Sequence, residues 1–226
     1  MRHTLAPMER TPEPELMDDA EQARAYAEAD FAEPNQAFVE LVETKLAPLP
    51  EQAKVVDLGC GPADIPLRLS LRHPGFEIDA VDGSRAMLDC GAGAVKASGA
   101  RVRLHCARLG ELPLKAHSYH LVLSNSLLHH LHDPQLLWTA VRELAALGAR
   151  VLVMDLARPD TPDSARAIVE QYSANEPEVL KRDFLASLHA AFTVEEVRAQ
   201  LSAAGLPALS VAATSDRHLC AWGTLH

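Results

Sequence analysis

Strands and helices alternate four times over about 100 residues of this chain, and that rhythm constrains the fold more than any other feature. Short apolar runs at "AKVVDL" (53–58), "FEIDAVDGS" (76–84), "RVRLHC" (101–106), "SYHLVLSN" (118–125) and "ARVLVMDLA" (149–157) read as buried strands. Between them, "DIPLRLSLRHP" (64–74), "RAMLDCGAGAVKA" (85–97) and "DPQLLWTAVRELAAL" (133–147) read as helices. Pro74 ends the first, Gly91 and Gly93 weaken the second, and the third is capped near Asp133 and stopped by Gly148. Successive βαβ units lay strands in parallel with right-handed crossovers. Such a sheet needs a core on both faces, and 48% apolar residues in a chain of 226 can supply it.

The rhythm breaks after residue 157. Residues 158–192 read as an insertion of about 35 residues, largely helical. "TVEEVRAQLSAAGL" (193–206) is a further helix, with Thr193 and Glu196 spaced for a capping box and Gly205 as its stop. "ALSVAAT" and "RHLCAWGT" end the chain as two strands joined by the turn "SD". So short a connection cannot make a parallel crossover, so this pair is antiparallel. At the other end, residues 1–16 are Pro- and Glu-rich and are expected to be a mobile tail. Residues 17–50 supply N-terminal helices, the first capped by Asp18 or Asp19 and the second starting at Pro34, with Phe38, Leu41, Val42 and Leu46 on one face. Residues 17–226 are expected to form a single domain, with 159–192 as a cap.

The formal net charge of -10 argues against a nucleic-acid partner or an anionic membrane surface. No apolar run approaches the roughly 20 residues of a membrane span, and no signal peptide is visible. Cys60, Cys90, Cys106 and Cys220 lack metal or disulfide spacing and read as reduced thiols of a cytoplasmic protein.

The chemistry starts at "VVDLGCGPAD" (55–64), where a strand ends in Asp57 and gives up its side chains at Gly59 and Gly61. Glycines at a strand-to-helix turn let a ligand approach the backbone, at the carboxyl end of a parallel sheet where such ligands bind. The dinucleotide fingerprint is absent, because its third glycine position is Asp64, whose carboxylate repels pyrophosphate at a helix start. No Gly-Lys-Ser/Thr follows either. Asp57 is placed to order the loop and face a cation, and Asp82, at the tip of the second strand, to accept ribose hydroxyls. Together they describe a nucleoside with a zwitterionic, cationic tail.

"VVDLGCGPAD", "AVDGSRAML", "LGELPLKAHSYHLVLSNSLLHHLHDP" and "LVMDLARP" resemble the successive motifs of class I S-adenosylmethionine-dependent methyltransferases, in particular the small-molecule branch with an "LHHL-x-DP" turn after strand four. The likeness covers residues 53–160. It implies a three-layer Rossmann-like α/β fold with a seven-stranded sheet of order 3-2-1-4-5-7-6, strand 7 antiparallel. It also implies S-adenosyl-L-methionine as cofactor, S-adenosyl-L-homocysteine as product, no metal, and a small-molecule acceptor bound by a monomer or homodimer. By the same resemblance, Asp57, Gly59 and Gly61 line the methionine part. Asp82 holds the ribose, Ser84 and Met87 lie beside the adenine, Asn125 offers its backbone to the amino group, Gly83 is a further cofactor contact, and Tyr26 touches the cofactor or the acceptor. Three positions depart from the pattern. Ala63 replaces a glycine, His120 replaces an acid before strand four, and Arg108 stands where an acid receives the adenine amino group. An arginine cannot accept that bond, so the backbone of Arg108 and Leu109 does, or an acid comes from elsewhere.

On the acceptor side, His129 or His130 is a candidate general base, and Asp155 a candidate to orient the acceptor or stabilise a developing cation. The other readings are a histidine packed under the cofactor and an aspartate capping a loop. Adjacent histidines are expected to point apart, which argues against a metal. The acceptor pocket is expected from Tyr26 and Phe31 at one end of the chain and Arg158, Tyr172, Phe184 and His189 in the insertion. A nucleic-acid or protein methyltransferase, or a cofactor-binding protein without methyl transfer, are the alternative functions.

Overall fold

The structure, a computed structural model, describes residues 8–14, 23, 24, 26, 27, 29 and 31–226. The helix expected over 17–30 lies largely outside them, with Asp18 and Asp19, although residues 23, 24, 26 and 27 are helical. Helix α1 (Ala32–Lys45) leads into β1 (Ala53–Leu58), α2 (Asp64–Arg72), β2 (Phe76–Asp82), α3 (Arg85–Ser98) and β3 (Val102–Cys106). Then come β4 (Tyr119–Asn125), a 3-10 turn (Leu128–His130), α4 (Gln135–Leu144) and β5 (Ala145–Leu156). The insertion holds α5 (Pro162–Ser173) and α6 (Glu178–Ala190), and α7 (Val194–Ala203), β6 (Ser210–Ala213) and β7 (His218–Thr224) close the chain.

The seven strands form one sheet of order β3-β2-β1-β4-β5-β7-β6. β7 runs antiparallel to β5 and β6, as expected from the short turn before it. Alternate residues of the central strands feed two cores, as the pleat requires. Val55, Leu121, Leu123 and Leu152 pack with Phe38 and Leu69 under α1 and α2. Val56, Leu58, Val122 and Val151 pack with Trp138 and Leu201 under α4 and α7. The Trp138 indole, fully buried, keeps its N–H satisfied by Gln200 Oε1 at 3.0 Å. The capping box forms as read: Thr193 Oγ1 accepts from Glu196 N at 3.2 Å, and Glu196 Oε2 accepts from Thr193 N at 2.8 Å.

Several boundaries differ from the sequence reading: α1 starts at Ala32 rather than Pro34, β6 and β7 are separated by residues 214–217, and the largest difference is at α4. α4 stops at Leu144 rather than at Gly148, and the chain from Ala145 onward is already strand. Ala145 pairs with Tyr119, His117 N and Ser118 N donate to the carbonyls of Glu143 and Leu144 at 2.8 and 3.0 Å, and Gly148 N donates to Leu225 O at 2.8 Å. The helix propensity of "AAL" is worth a few tenths of a kcal/mol per residue, so these tertiary bonds outweigh it.

The insertion leaves the sheet at Ala157 and returns at Phe192, which form a parallel bridge. Its helices make a third small core of Ala165, Ile168, Val169 and Leu188 with Leu156 of β5 and Met8. Met8 belongs to the stretch expected as tail, yet residues 8–14 are bonded to the body. Met8 N donates to Asp160 O at 3.0 Å and Thr11 N to His189 O at 2.9 Å. Arg10 donates to Ala190 O at 2.6 Å, His129 O at 3.0 Å and Leu131 O at 2.9 Å, and lies 4.0 Å over the Phe192 ring. This strap ties the insertion to the turn after β4. All four cysteines are free, Cys60 and Cys220 buried and Cys90 and Cys106 exposed. No helix among the described residues is long and apolar enough to cross a membrane.

Candidate active site

The glycine loop after β1 is built around Asp82. Gly59 N and Cys60 N donate to Val81 O, at 2.8 and 3.0 Å. Asp82 then spends one carboxylate oxygen on Gly61 N and the other on Ser84 N, each at 2.8 Å. A carboxylate has about four acceptor positions, so these two backbone bonds do not saturate it. Gly59 (φ +77°) and Gly61 (φ +53°) take left-handed conformations. A Cβ on Gly59 would meet Leu127 Cβ at 2.8 Å, whereas one on Gly61 would meet nothing within 4 Å. The space over Gly61 is therefore open, on the rim where parallel sheets bind ligands. Ala63 is also left-handed (φ +63°), so the replaced glycine adds strain of about 1 kcal/mol to the turn.

Near the tips of the paired strands β1 and β4, two buried acceptors, Asp57 Oδ1 and Asn125 Oδ1, have no hydrogen-bond partner among the described residues. Asp57 is 1% exposed. Burial and the neighbouring Asp82 charge push its carboxyl up to about 7. Two carboxylates sharing a desolvated rim call for a cation. Tyr26 stands in the same field: desolvation of its hydroxyl, then the charges of Asp82 and Asp155, push it up to about 12. Its ring packs against Phe31 with centroids 4.7 Å apart. Ser84 is buried and caps α3, its Oγ accepting from Met87 N at 3.2 Å, and Met87 is 4% exposed. Gly83 offers its carbonyl to the Cys106 thiol at 3.8 Å. Gly91, read from sequence as a weakness of α3, is a close approach instead: a Cβ there would stand 1.9 Å from Pro62 O.

The strand tips of β4 and β5 carry the second half of the site. Asp155 Oδ1 lies 2.5 Å from His129 Nδ1, and Asp155 Oδ2 accepts from His129 N at 3.2 Å. Both residues are buried. Burial opposes an imidazolium at His129, but Asp155 and Glu13 outweigh it and raise its pKa. Burial and the His129 charge push His130 down to about 3. The two histidine rings do not diverge, as the sequence reading expected. Their centroids are 4.1 Å apart, because Glu13 of the strap lies against both. His132 is exposed, its Nε2 2.9 Å from Glu13 O.

The other residues singled out from sequence make the following contacts. Arg108 is exposed, its carbonyl accepting from Glu111 N at 3.1 Å, and Leu109 packs on the α4 core. His120 sits at the opposite end of the sheet, where Nδ1 accepts from Lys54 N at 2.9 Å, a task a carboxylate would also perform. Asp64 turns to Arg68 at 2.5 Å and Asn35 at 2.8 Å, joining α1 to α2. Arg158 pairs with Glu196 at 2.6 Å, and Tyr172 with Asp216 at 2.7 Å. Phe184 packs on the small core of the insertion. Arg10 and Glu13 were missed: they stand in a Pro/Glu-rich stretch with no periodicity to mark them.

Residues 55–148 match a family model described as a methyltransferase domain. A search of curated proteins finds no match. Among solved structures, a SAM-dependent methyltransferase from Aquifex aeolicus is 15% identical over 92% of this chain and 99% of its own, with a TM-score of 0.68. The plantazolicin methyltransferase BpumL in complex with SAH is 15% identical over 92% and 91%, with a TM-score of 0.73. Phosphoethanolamine N-methyltransferase 2 of Haemonchus contortus, in complex with phosphomonomethylethanolamine and S-adenosylhomocysteine, is 17% identical over 86% of this chain and 43% of its own, with a TM-score of 0.67. At these identities the likeness is one of fold.

Proposed function

We propose that this protein is a methyltransferase that uses S-adenosylmethionine to methylate an O, N, S or C nucleophile of a small molecule by in-line displacement. The observation that carries the reading is the pair of buried, unpartnered oxygens on Asp57 and Asn125 beside an open Gly61. They fit the ammonium group of a methionine moiety, and Asp57 relieves its own burial by taking a cationic partner. Asp82, at the tip of β2, is the ribose ligand and at the same time the pin of the loop. Gly83, Ser84 and Met87 line the adenine side with the backbone of Arg108 and Leu109. Tyr26, coupled electrostatically to Asp82 and Asp155, spans the cofactor and acceptor halves. Relatives in fold that hold S-adenosylhomocysteine support the choice of cofactor.

The cofactor brings an already activated methyl group. The protein's task is then to seat the nucleophile about 3 Å from it and exclude water, which supplies much of the rate. The buried Asp155–His129 pair and His130 form the acceptor wall. Asp155 holds His129 at Nδ1 and fixes the ring, so that Nε2 orients an acceptor or takes its proton. The strap and α6 cover this wall, and the net charge is -10, both of which favour a small acceptor over a polynucleotide.

Calorimetry with S-adenosylhomocysteine, followed by a mass-spectrometric screen of alcohols, amines and thiols, tests the reading. Binding in about the micromolar range and a product heavier by one methylene are expected. No heat at millimolar ligand sinks the cofactor assignment. Turnover on RNA or protein alone sinks the acceptor class.

A further inference from the structure

Glu13 on the strap and His129 and His130 on the turn after β4 bring three donor atoms to one point. Glu13 Oε1 lies 3.5 Å from His129 Nε2 and 3.1 Å from His130 Nδ1, and all three atoms fall within 4.8 Å of one another. Around a tetrahedral zinc ion with bonds of about 2.0–2.1 Å, ligand atoms stand about 3.3 Å apart. The two measured edges straddle that spacing.

His130 distinguishes a metal site from an ordinary polar cluster. Its Nδ1 is buried and has no hydrogen-bond partner among the described residues, although a Glu13 carboxylate oxygen stands 3.1 Å away. An imidazole nitrogen and a carboxylate oxygen so placed are both metal-donor atoms, and an ion between them would satisfy both. A proton on His129 accounts for its own contact with Glu13 but leaves His130 unexplained.

The surroundings match what a bound ion needs. Asp155 grips His129 Nδ1 at 2.5 Å, leaving Nε2 toward the ion, as carboxylates do behind metal-ligating histidines. Ser187 Oγ donates to both Glu13 oxygens, at 3.1 and 3.3 Å. The half-buried Glu13 and the buried Asp155 supply two negative charges beside the cluster, and the Arg10 guanidinium, bonded to backbone carbonyls, offsets one of them. A cavity of about 310 Å³ lined by Thr11, Glu13, Leu185 and His189 offers an approach.

We propose that Glu13, His129 and His130 form a binding site for a divalent transition metal of the zinc class. Asp155 and Ser187 are its positioning residues, and a fourth position is left for water or another donor. Two imidazoles and one carboxylate suit zinc better than calcium or magnesium, which prefer all-oxygen sets. His129 and His130 also belong to the proposed acceptor wall, and metal titration reads the site without methyl transfer.

The full chain, stripped with a chelator, is titrated with zinc chloride by calorimetry and with cobalt(II) by visible absorption. One zinc per chain at a Kd below about 1 μM and intense tetrahedral cobalt bands are expected. Glu13→Gln and His130→Ala each weaken zinc binding at least tenfold, with folding checked by circular dichroism. Nitrogen-15 spectra of the wild-type imidazoles serve as a second readout if a variant fails to fold. His129 Nε2 and His130 Nδ1 shift on zinc addition. Binding weaker than about 100 μM, affinity unchanged in both folded variants, or unmoved ring nitrogens would overturn the proposal.

Discussion

Replacing Asp57 by asparagine separates the cost of the cradle from its use. In the ligand-free protein, burial and Asp82 hold this carboxyl near 7, against an ordinary aspartate value of 3.8. The gap corresponds to about 4 kcal/mol at about 1.4 kcal/mol per pH unit, and local relaxation reduces this to roughly 2 kcal/mol. An acid whose folded pKa is raised weakens the fold as pH climbs from 3.8 to about 7 and has no such effect below 3.8. The amide keeps the shape of the side chain and removes its charge. At pH 8 the ligand-free Asp57→Asn protein should melt higher by roughly 4–8 °C, at about 2–4 °C per kcal/mol for a chain of this size. At pH 4 the gain should be gone. Cofactor binding should move the other way, at least tenfold weaker, because the ligand's ammonium loses its counter-charge. Wild-type binding at pH 6 should release close to one proton, since the ligand selects ionised Asp57. Thermal melts at the two pH values, and calorimetry in two buffers of different ionisation enthalpy, read these effects. A variant that melts lower at pH 8 and binds as tightly as wild type refutes both the burial cost and the cation-binding role.

Asp82→Ala should lower S-adenosylhomocysteine affinity at least tenfold by calorimetry, because Gly61 N and Ser84 N lose their acceptor. Gly91→Ala should destabilise by several kcal/mol, as its Cβ would stand 1.9 Å from Pro62 O. Gly93→Ala, with nothing within 4 Å, should gain about 0.5–1 kcal/mol in denaturant melts. Arg108→Ala should leave cofactor affinity within about twofold, since that exposed side chain has no acceptor to offer adenine.

The layout of the sheet was legible because its signals are local. The apolar runs, the capping box at Thr193 and Glu196, and the short antiparallel turn before β7 depend on neighbours in sequence; each appears, although the turn spans residues 214–217 rather than two. The strand tips of the proposed cofactor half were legible for the same reason, as Asp57, Gly59, Gly61 and Asp82 mark the ends of two adjacent strands. Gly148 misled because helix propensity is weak, and the pairing of Ala145 with Tyr119 belongs to the assembled sheet. His120 and Asp64 likewise looked chemical and proved to serve packing.

From its sequence alone this chain determined a parallel α/β sheet with a glycine rim and two acids at its strand tips. Periodicity and turn chemistry act over a few residues and survive without knowledge of the rest. Only the tertiary structure decided that Glu13, in a stretch that reads as loose tail, lies between His129 and His130 with Asp155 behind them. Residues so far apart in the chain meet through the packing of Met8 and the bonds of Arg10 to the insertion and the turn. Such contacts leave no trace in local composition, because their energy comes from surfaces that exist only once the sheet, the insertion and the strap have come together.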